Sequence, residues 1–310
     1  MKILLTGAAG FLGSHLLEAL LPSGHFIIGL DDLSTGNRNN ISNFLNHKNF
    51  KFYEADIRTP LEEKIDLILN FACPASPRQY QVDPVKTIET NFLGALNMLK
   101  LAKNNGASLL QASTSEIYGD PMISPQSEDY WGNVNPIGLR SCYDEGKRSA
   151  ETLCFDFKRQ YNLKIKVIRI FNTYGPKMDP DDGRVISNFI NQALRNEDIT
   201  IYGNGIQTRS FCYVSDLISA INRFVFLDFI PETPINLGNP EEITIENLAL
   251  KIIELTNSKS KLIKMDLPED DPKKRKPDIS KAIKLLDWKP TISLEEGLKQ
   301  TINYFKHNLK

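Results

Sequence analysis

Histidine and cysteine are scarce in this chain, with four of each among 310 residues. The histidines (His15, His25, His47, His307) lie far apart, which argues against a histidine-centred active site. The cysteines (Cys73, Cys142, Cys154, Cys212) form no CxxC pair and no Cys/His cluster. A metal site or a disulfide framework is therefore not expected, and buried or neutral thiols are. Excess charge is lacking too. Thirty-seven basic residues meet thirty-eight acidic ones, a net charge of −1. A near-neutral chain has no global electrostatic reason to bind nucleic acid or an anionic membrane. No apolar run approaches the ~20 residues needed to cross a bilayer. Met1–Gly7 is too short and too soon interrupted for a signal peptide, so the expected location is the cytosol.

What is present fits an ordinary soluble globular chain. Hydrophobic residues make up 41% and charged residues 24%, and the length suits about two domains or one large α/β unit. Strands are expected at Lys2–Leu5, His25–Leu30, Phe50–Glu54, Leu67–Phe71, Ser108–Ala112 and Ile165–Ile170. Helical patterns lie between them at Phe11–Leu21, Val85–Asn104 and Tyr143–Gln160. Alternating elements with strands apolar on both faces predict an α/β fold whose parallel sheet is covered on both sides. The pattern changes after Asn172. Asn172–Asp182 reads as a loop, Val185–Arg195 as a helix, Thr200–Tyr202 as a strand, and Val214–Val225 and Ile245–Leu255 as helices. Pro268–Pro277 reads as a charged loop, followed by a helix from Ser293 with a capping-box start. The basic run Lys273–Lys276 is flanked by Glu269, Asp270 and Asp271, which weakens a nucleic-acid reading.

Gly7, Gly10 and Gly13, with Phe11 and Leu12, stand between the first strand and the first helix. In that context glycines permit the tight turn, the close approach of a pyrophosphate and the packing of helix on sheet. The phosphates would rest on the free N–H groups of the helix start. Asp31 ends the second strand, where an acid meets a ribose 2′-hydroxyl and repels a 2′-phosphate, favouring NAD over NADP. Arg38 is a mild counter-signal. Asp56 and Ile57 follow the third strand, where they suit an adenine contact, although Asp56 could also cap a turn.

Tyr143 and Lys147 are four residues apart, on one face of a helix. A phenol with a pKa of about 10 is a poor base at neutral pH, and a nearby ammonium would lower it. Ser113-Thr114-Ser115-Glu116 follows the fifth strand, where a hydroxyl could join Tyr143 at a substrate carbonyl. Glycine turn, hydroxyl after a strand, then YxxxK, in that order, is a specific combination.

With these motifs the chain resembles the extended short-chain dehydrogenase/reductase family of nucleotide-sugar enzymes, and within it the branch that decarboxylates UDP-glucuronate. The stretches that carry this are Cys73–Pro77, Ser113–Pro121, Pro125–Gly132, Asn135–Gly138, Cys142–Arg148, Ile170–Pro176, Asp182–Val185, Tyr202–Gly205, Gln207–Arg209 and Arg275–Asp278. The resemblance implies a Rossmann-type doubly wound parallel sheet with a smaller C-terminal α/β substrate-binding domain, and the activity of an NAD-dependent carboxy-lyase. Tyr143 would take the C4 hydroxyl proton while hydride passes to NAD. The resulting β-keto acid would lose CO2, with the enolate stabilised by Tyr143 and Thr114, and return of the hydride would give UDP-xylose. It implies Thr114, Glu116, Tyr143, Lys147 and Arg275 as catalytic, with Arg275 gripping the substrate carboxylate. Cofactor contacts would come from Asp32, Ser34, Thr35, Gly36, Phe71, Ala72, Cys73, Thr90, Tyr143, Lys147 and Thr173, besides the turn, Asp31, Asp56 and Ile57. Substrate contacts would come from Tyr80, Glu116, Asn172, Arg184, Val185, Tyr202, Arg209 and Arg275. The implied NAD-binding part is 1–171 with about 212–237, the nucleotide-sugar part 172–211 with 238–310, and the assembly a homodimer joined through a four-helix bundle. Cys73 and Glu89 replace the Ser and Lys common in the branch. Ser115 replaces the acid of the dehydratases. Alternatives are release of UDP-4-keto-pentose with NADH, another epimerase or dehydratase activity, or a non-catalytic NAD sensor.

Overall fold

The computed structural model describes residues 1–266 and 274–308. Lys273 and the acids Glu269, Asp270 and Asp271 lie outside these residues. Seven strands form the main sheet: β1 (Lys2–Thr6), β2 (Phe26–Asp31), β3 (Phe50–Glu54), β4 (Leu67–Asn70), β5 (Ser108–Thr114), β6 (Ile165–Ile170) and β7 (Ile235–Leu237). All are parallel, in the order β7-β6-β5-β4-β1-β2-β3. Strand order reverses between β1 and β4, and the carboxyl ends beside such a switch point form a ligand crevice.

The strands are apolar on both faces because helices cover both. On one face α1 (Phe11–Leu20) contributes Leu16, Leu17 and Leu20 to a core with Ile3 and Leu5 of β1. On the other, Met98, Leu99 and Ala102 pack with Leu4 and Ile68. The single helix expected over Val85–Asn104 is divided into α2 (Pro84–Glu89), a π-turn at Thr90–Gly94 and α3 (Ala95–Asn105). Asp83 starts α2, its carboxylate accepting the Lys86 N–H at 2.9 Å, with Pro84 in the first turn. The YxxxK helix is α4 (Ser141–Tyr161). Among the described residues no helix is long and apolar enough to cross a membrane.

Six strands lie within two residues of expectation at each end. β7 has only three residues, too few for a readable alternation, and it pairs with β6 through Ile235–Ile168 and Leu237–Ile170. Two expected loops contain strands. Thr173–Tyr174 pairs with Cys212–Tyr213, and Lys274–Arg275 pairs with Thr208–Ser210, which also holds Glu242–Thr244. Arg275 is thus fixed by register to Arg209 and is buried. In the described part of the basic run, Arg275 is buried and Lys276 pairs with Glu242 at 3.0 Å. In the final helix, Leu294–Asn308, Ser293 Oγ accepts the Glu296 N–H at 3.2 Å, as the capping box requires.

Candidate active site

The glycine turn is built by contacts that exclude side chains. Gly7 has φ +69°, and a Cβ there would lie 2.9 Å from the Phe71 backbone at the end of β4. A Cβ on Gly13 would lie 1.9 Å from the Gly7 carbonyl oxygen, so α1 packs directly onto the turn. Gly10 begins α1 with no side-chain cap, which leaves the first-turn N–H groups for a ligand. Asp31 braces this turn, its carboxylate accepting the Ala9 and Leu33 N–H groups at 2.9 Å each. Burial pushes the Asp31 pKa up, and those two bonds oppose the rise. Lys86 pairs with Asp32 at 2.8 Å. Asp56 caps its own turn through the Arg58 N–H and pairs with Arg58, both at 2.8 Å. Glu89 also pairs with Arg58 and does not face the cleft.

At the ends of β5 and α4 the hydroxyl and YxxxK motifs meet. Thr114 Oγ1 accepts the Glu116 N–H at 3.2 Å and so starts the short turn Ser115–Tyr118. Tyr143 is buried and stacks face to face on Tyr80, with ring centres 5.1 Å apart. Burial pushes the Tyr143 phenol well above its ordinary pKa, and a hydrogen bond from Thr114 opposes only part of this. The sequence expectation was a phenol lowered by Lys147. Here the Lys147 ammonium donates to the Ala112 carbonyl at 3.0 Å and lies 5.7 Å from the centre of the phenol ring. Burial pulls Lys147 itself down. The protein alone therefore holds a neutral Tyr143.

Beside this pair lies an ion cluster. Glu116 accepts from Arg140 and, at 3.3 Å, from Arg275. Arg275 also donates to the Ser115 carbonyl at 2.9 Å. Burial would raise the Glu116 carboxyl, but Arg275 and Arg140 outweigh it and hold Glu116 below the ordinary carboxylate range.

The glycine turn, Asp31, Asp32, Asp56, Thr114, Tyr143, Lys147 and the ion cluster open onto one cleft of 1880 Å³. Small-ligand pockets are typically about 300–1,000 Å³, so this cleft has room for two ligands end to end. Every residue that the sequence assigns to cofactor, substrate or catalysis lines it, from Gly7 through Tyr143 to Arg275. The glycine turn and the uncapped helix start fit a dinucleotide pyrophosphate.

The profile of the NAD dependent epimerase/dehydratase family matches residues 3–238. The chain belongs to this family.

Within the family, the chain is 50% identical over 309 residues to UDP-glucuronic acid decarboxylase 1 of Xenopus tropicalis, covering all of this chain and 73% of that protein. It is 52% identical over 299 residues to UDP-glucuronic acid decarboxylase 6 of Arabidopsis thaliana, covering 96% of this chain and 87% of that one. Among solved structures, UDP-glucuronic acid 4-epimerase from Bacillus cereus, in complex with UDP-glucuronic acid and NAD, superposes with a TM-score of 0.90. It is 31% identical and covers 99% of this chain and 100% of its own. NAD is the cofactor of the family, and the turn is built for it.

Arg140 was not singled out from sequence. It stands three residues before Tyr143, one helical turn away, and that spacing was the available signal. Asp144 was also passed over. It is buried immediately behind the ion cluster, and its Oδ1 has no hydrogen-bond partner.

Proposed function

We propose that this chain is a UDP-glucuronate decarboxylase that forms UDP-xylose and CO2. The observation that carries the reading is the Glu116–Arg140–Arg275 cluster in the same cleft as Thr114, Tyr143 and Lys147. Its support from relatives is identity of about half the chain with UDP-glucuronic acid decarboxylases. Bound NAD supplies the hydride acceptor at C4 and the hydride that is returned there, and brings a cationic ring to the site. Tyr143, as a phenolate that Lys147 and Thr114 stabilise, takes the C4 hydroxyl proton, and as the phenol so formed later gives it back. Once C4 is a ketone, the C5 carboxylate belongs to a β-keto acid. Its bonding electrons pass to the C4 oxygen, where the Thr114 and Tyr143 hydroxyls donate. Arg275 holds the carboxylate with a planar fork suited to it. Its bond to Glu116, at 3.3 Å, is long for a charge-assisted contact and is the one a substrate carboxylate exchanges with.

In this reading Asp31, Asp32, Ser34, Thr35, Gly36, Asp56, Ile57, Phe71, Ala72, Cys73, Thr90 and Thr173 hold NAD with the glycine turn. Tyr80, Asn172, Arg184, Val185, Tyr202 and Arg209 hold the nucleotide sugar. Residues 1–171 with 212–237 form the NAD-binding part, and 172–211 with 238–310 the sugar-nucleotide part. The chain pairs as a homodimer through α2 to α4. Val85, Ile88 and Phe92, exposed on successive turns, support such a face. We place the protein in the cytosol, a reading supported by its four unpaired cysteines.

Proton NMR of the protein with UDP-glucuronate and a trace of NAD+ tests the activity. UDP-xylose formed over many turnovers per NAD is the expected result. Release of UDP-4-keto-pentose, with one NADH per product, would assign the shorter reaction, and an unchanged sugar spectrum would remove UDP-glucuronate as substrate.

A further inference from the structure

This inference rests on the decarboxylase reading, in which Arg275 grips the substrate carboxylate. The grip depends on where the guanidinium stands. The strand that carries it, Lys274–Arg275, is only two residues long. On one side it is held by its register with Thr208 and Arg209, and Ser210 Oγ donates to the Arg275 carbonyl at 3.2 Å. Strands usually run to three residues or more, so the rest of the hold has to come from the residues that follow.

Those residues are clamped by Gln126, from the loop between β5 and α4. Gln126 and Pro277 stand opposite each other in a single parallel bridge. The Gln126 N–H donates to the Lys276 carbonyl at 2.8 Å, and the Gln126 carbonyl accepts the Asp278 N–H at 2.9 Å. The side chain adds a further bond, Oε1 accepting the Lys276 N–H at 2.9 Å. Nε2 donates to the Ile123 carbonyl at 2.7 Å and so fixes the orientation of the amide. One residue thus grips Lys276 at both its N–H and its carbonyl, directly after Arg275. Gln126 is fully buried, and each of its polar groups has a partner, as a buried glutamine requires.

The clamp is tied to the other half of the ion pair. Asn236 of β7, also fully buried, donates through Nδ2 to the Gln126 and Asp278 carbonyls at 3.0 and 3.2 Å. Its Oδ1 accepts the Tyr118 hydroxyl at 2.8 Å. Tyr118 closes the turn Ser115–Tyr118, which carries Glu116 and the Ser115 carbonyl that Arg275 meets. One continuous set of hydrogen bonds therefore runs from the segment behind Arg275 to the turn in front of it.

Gln126 does not line the cleft, so whatever it does for the substrate it does through Arg275. The Arg275 side chain is 1% exposed and is already bonded to two groups of the turn. A shift of its backbone is therefore passed on to the guanidinium rather than absorbed in free rotation. An error of about 1 Å in placing such a group can cost about 10²-fold in rate.

We propose that Gln126 is a positioning residue: through its bond to the Lys276 N–H it sets where the Arg275 guanidinium stands, and so decides how strongly the site prefers a sugar that bears a carboxylate. Linkage gives a second consequence. A bond that favours carboxylate binding must itself be favoured, by the same factor, when the carboxylate is bound.

The test compares UDP-glucuronate with UDP-glucose, which has the same nucleotide and no carboxylate. Binding is measured by calorimetry on NAD-loaded protein carrying Tyr143→Phe, so that neither nucleotide reacts, with and without Gln126→Met. Methionine keeps the length of the side chain and lacks both of its hydrogen bonds. We expect Gln126→Met to weaken UDP-glucuronate about 10-fold, the upper weight of one hydrogen bond, and to leave UDP-glucose unchanged. With Tyr143 intact, kcat should fall about 10²-fold. A merely structural role would weaken both nucleotides alike, and that result overturns the proposal, as does a variant with unchanged affinities and kcat. Hydrogen exchange of the Lys276 amide, with Gln126 in place, decides the matter even where Gln126→Met does not fold. Exchange should be about 10-fold slower with UDP-glucuronate bound than with UDP-glucose bound, and equal exchange in the two complexes overturns the proposal. A wild type that makes UDP-xylose beside any of these negative results leaves the decarboxylase reading standing. A wild type that makes no UDP-xylose overturns both.

Discussion

The two ends of the cleft are built on different principles. At the dinucleotide end the contacts are backbone ones, made by Gly7, Gly10 and Gly13 and braced by Asp31. The three glycines are close in sequence and carry no charge. At the other end Glu116, Arg140 and Arg275 come from the end of β5, the start of α4 and a short strand far down the chain. There the contacts are side-chain ion pairs in a largely buried place. A backbone site fails when volume is added. An ion cluster fails when one charge is removed.

The sharpest test lies between the two ends. Tyr143→Phe should lower turnover by about 10²- to 10⁴-fold, the contribution of a positioned acid–base group, with NAD affinity by calorimetry retained. Lost NAD binding would make Tyr143 part of the cofactor site rather than the reacting one.

Next comes removal of one charge. Arg275→Met takes one of two cations from a buried carboxylate, a change that costs about 3–5 kcal/mol, measurable by urea unfolding, and should abolish turnover. The pH dependence has a definite sign. Glu116 is held below the ordinary carboxylate range, so its stabilisation is present above the free-glutamate pKa of about 4.3 and is lost as pH falls below it. Thermal melts of the wild type should therefore approach those of Glu116→Gln as the medium is acidified. A constant gap would mean that the pair is held by shape rather than charge.

Added volume is the matching test at the other end. Gly13→Ala places a methyl group 1.9 Å from the Gly7 oxygen, an overpacking that costs about 1–3 kcal/mol. Its melting temperature and NAD affinity should both fall. The smallest effect is expected for Glu89→Lys. Glu89 pairs with Arg58 outside the cleft, and a half-exposed pair is worth about 0–1 kcal/mol. Turnover and KM should stay at wild-type values, and a changed KM would bring this position back to the substrate.

The same contrast explains what was legible from sequence. The glycine turn, the acid after β2 and the YxxxK pair are short-range patterns tied to element ends, and each faces the cleft as read. Six of the seven strands were readable because each is an apolar run. β7, three residues long, was not. The state of Tyr143 was also hidden, because burial and the Ala112 carbonyl, not spacing, decide what Lys147 does for it. Arg275 was named only through resemblance, and its burial depends on a pairing with Arg209 that no local pattern announces. Arg140 and Asp144 differ from ordinary helix-start charges only in what the far parts of the chain bring against them.

The late arrival of β7 has a consequence for synthesis. β6 ends at Ile170, and the chain then builds two helices and several short strands before Ile235–Leu237 returns to its edge. Until that segment leaves the ribosome, β6 presents a bare row of N–H and C=O groups, a template for mispairing. Pairings so distant in sequence form slowly. A nascent chain stalled after β6 is thus the species most exposed to aggregation, and a chain truncated there would carry that edge permanently.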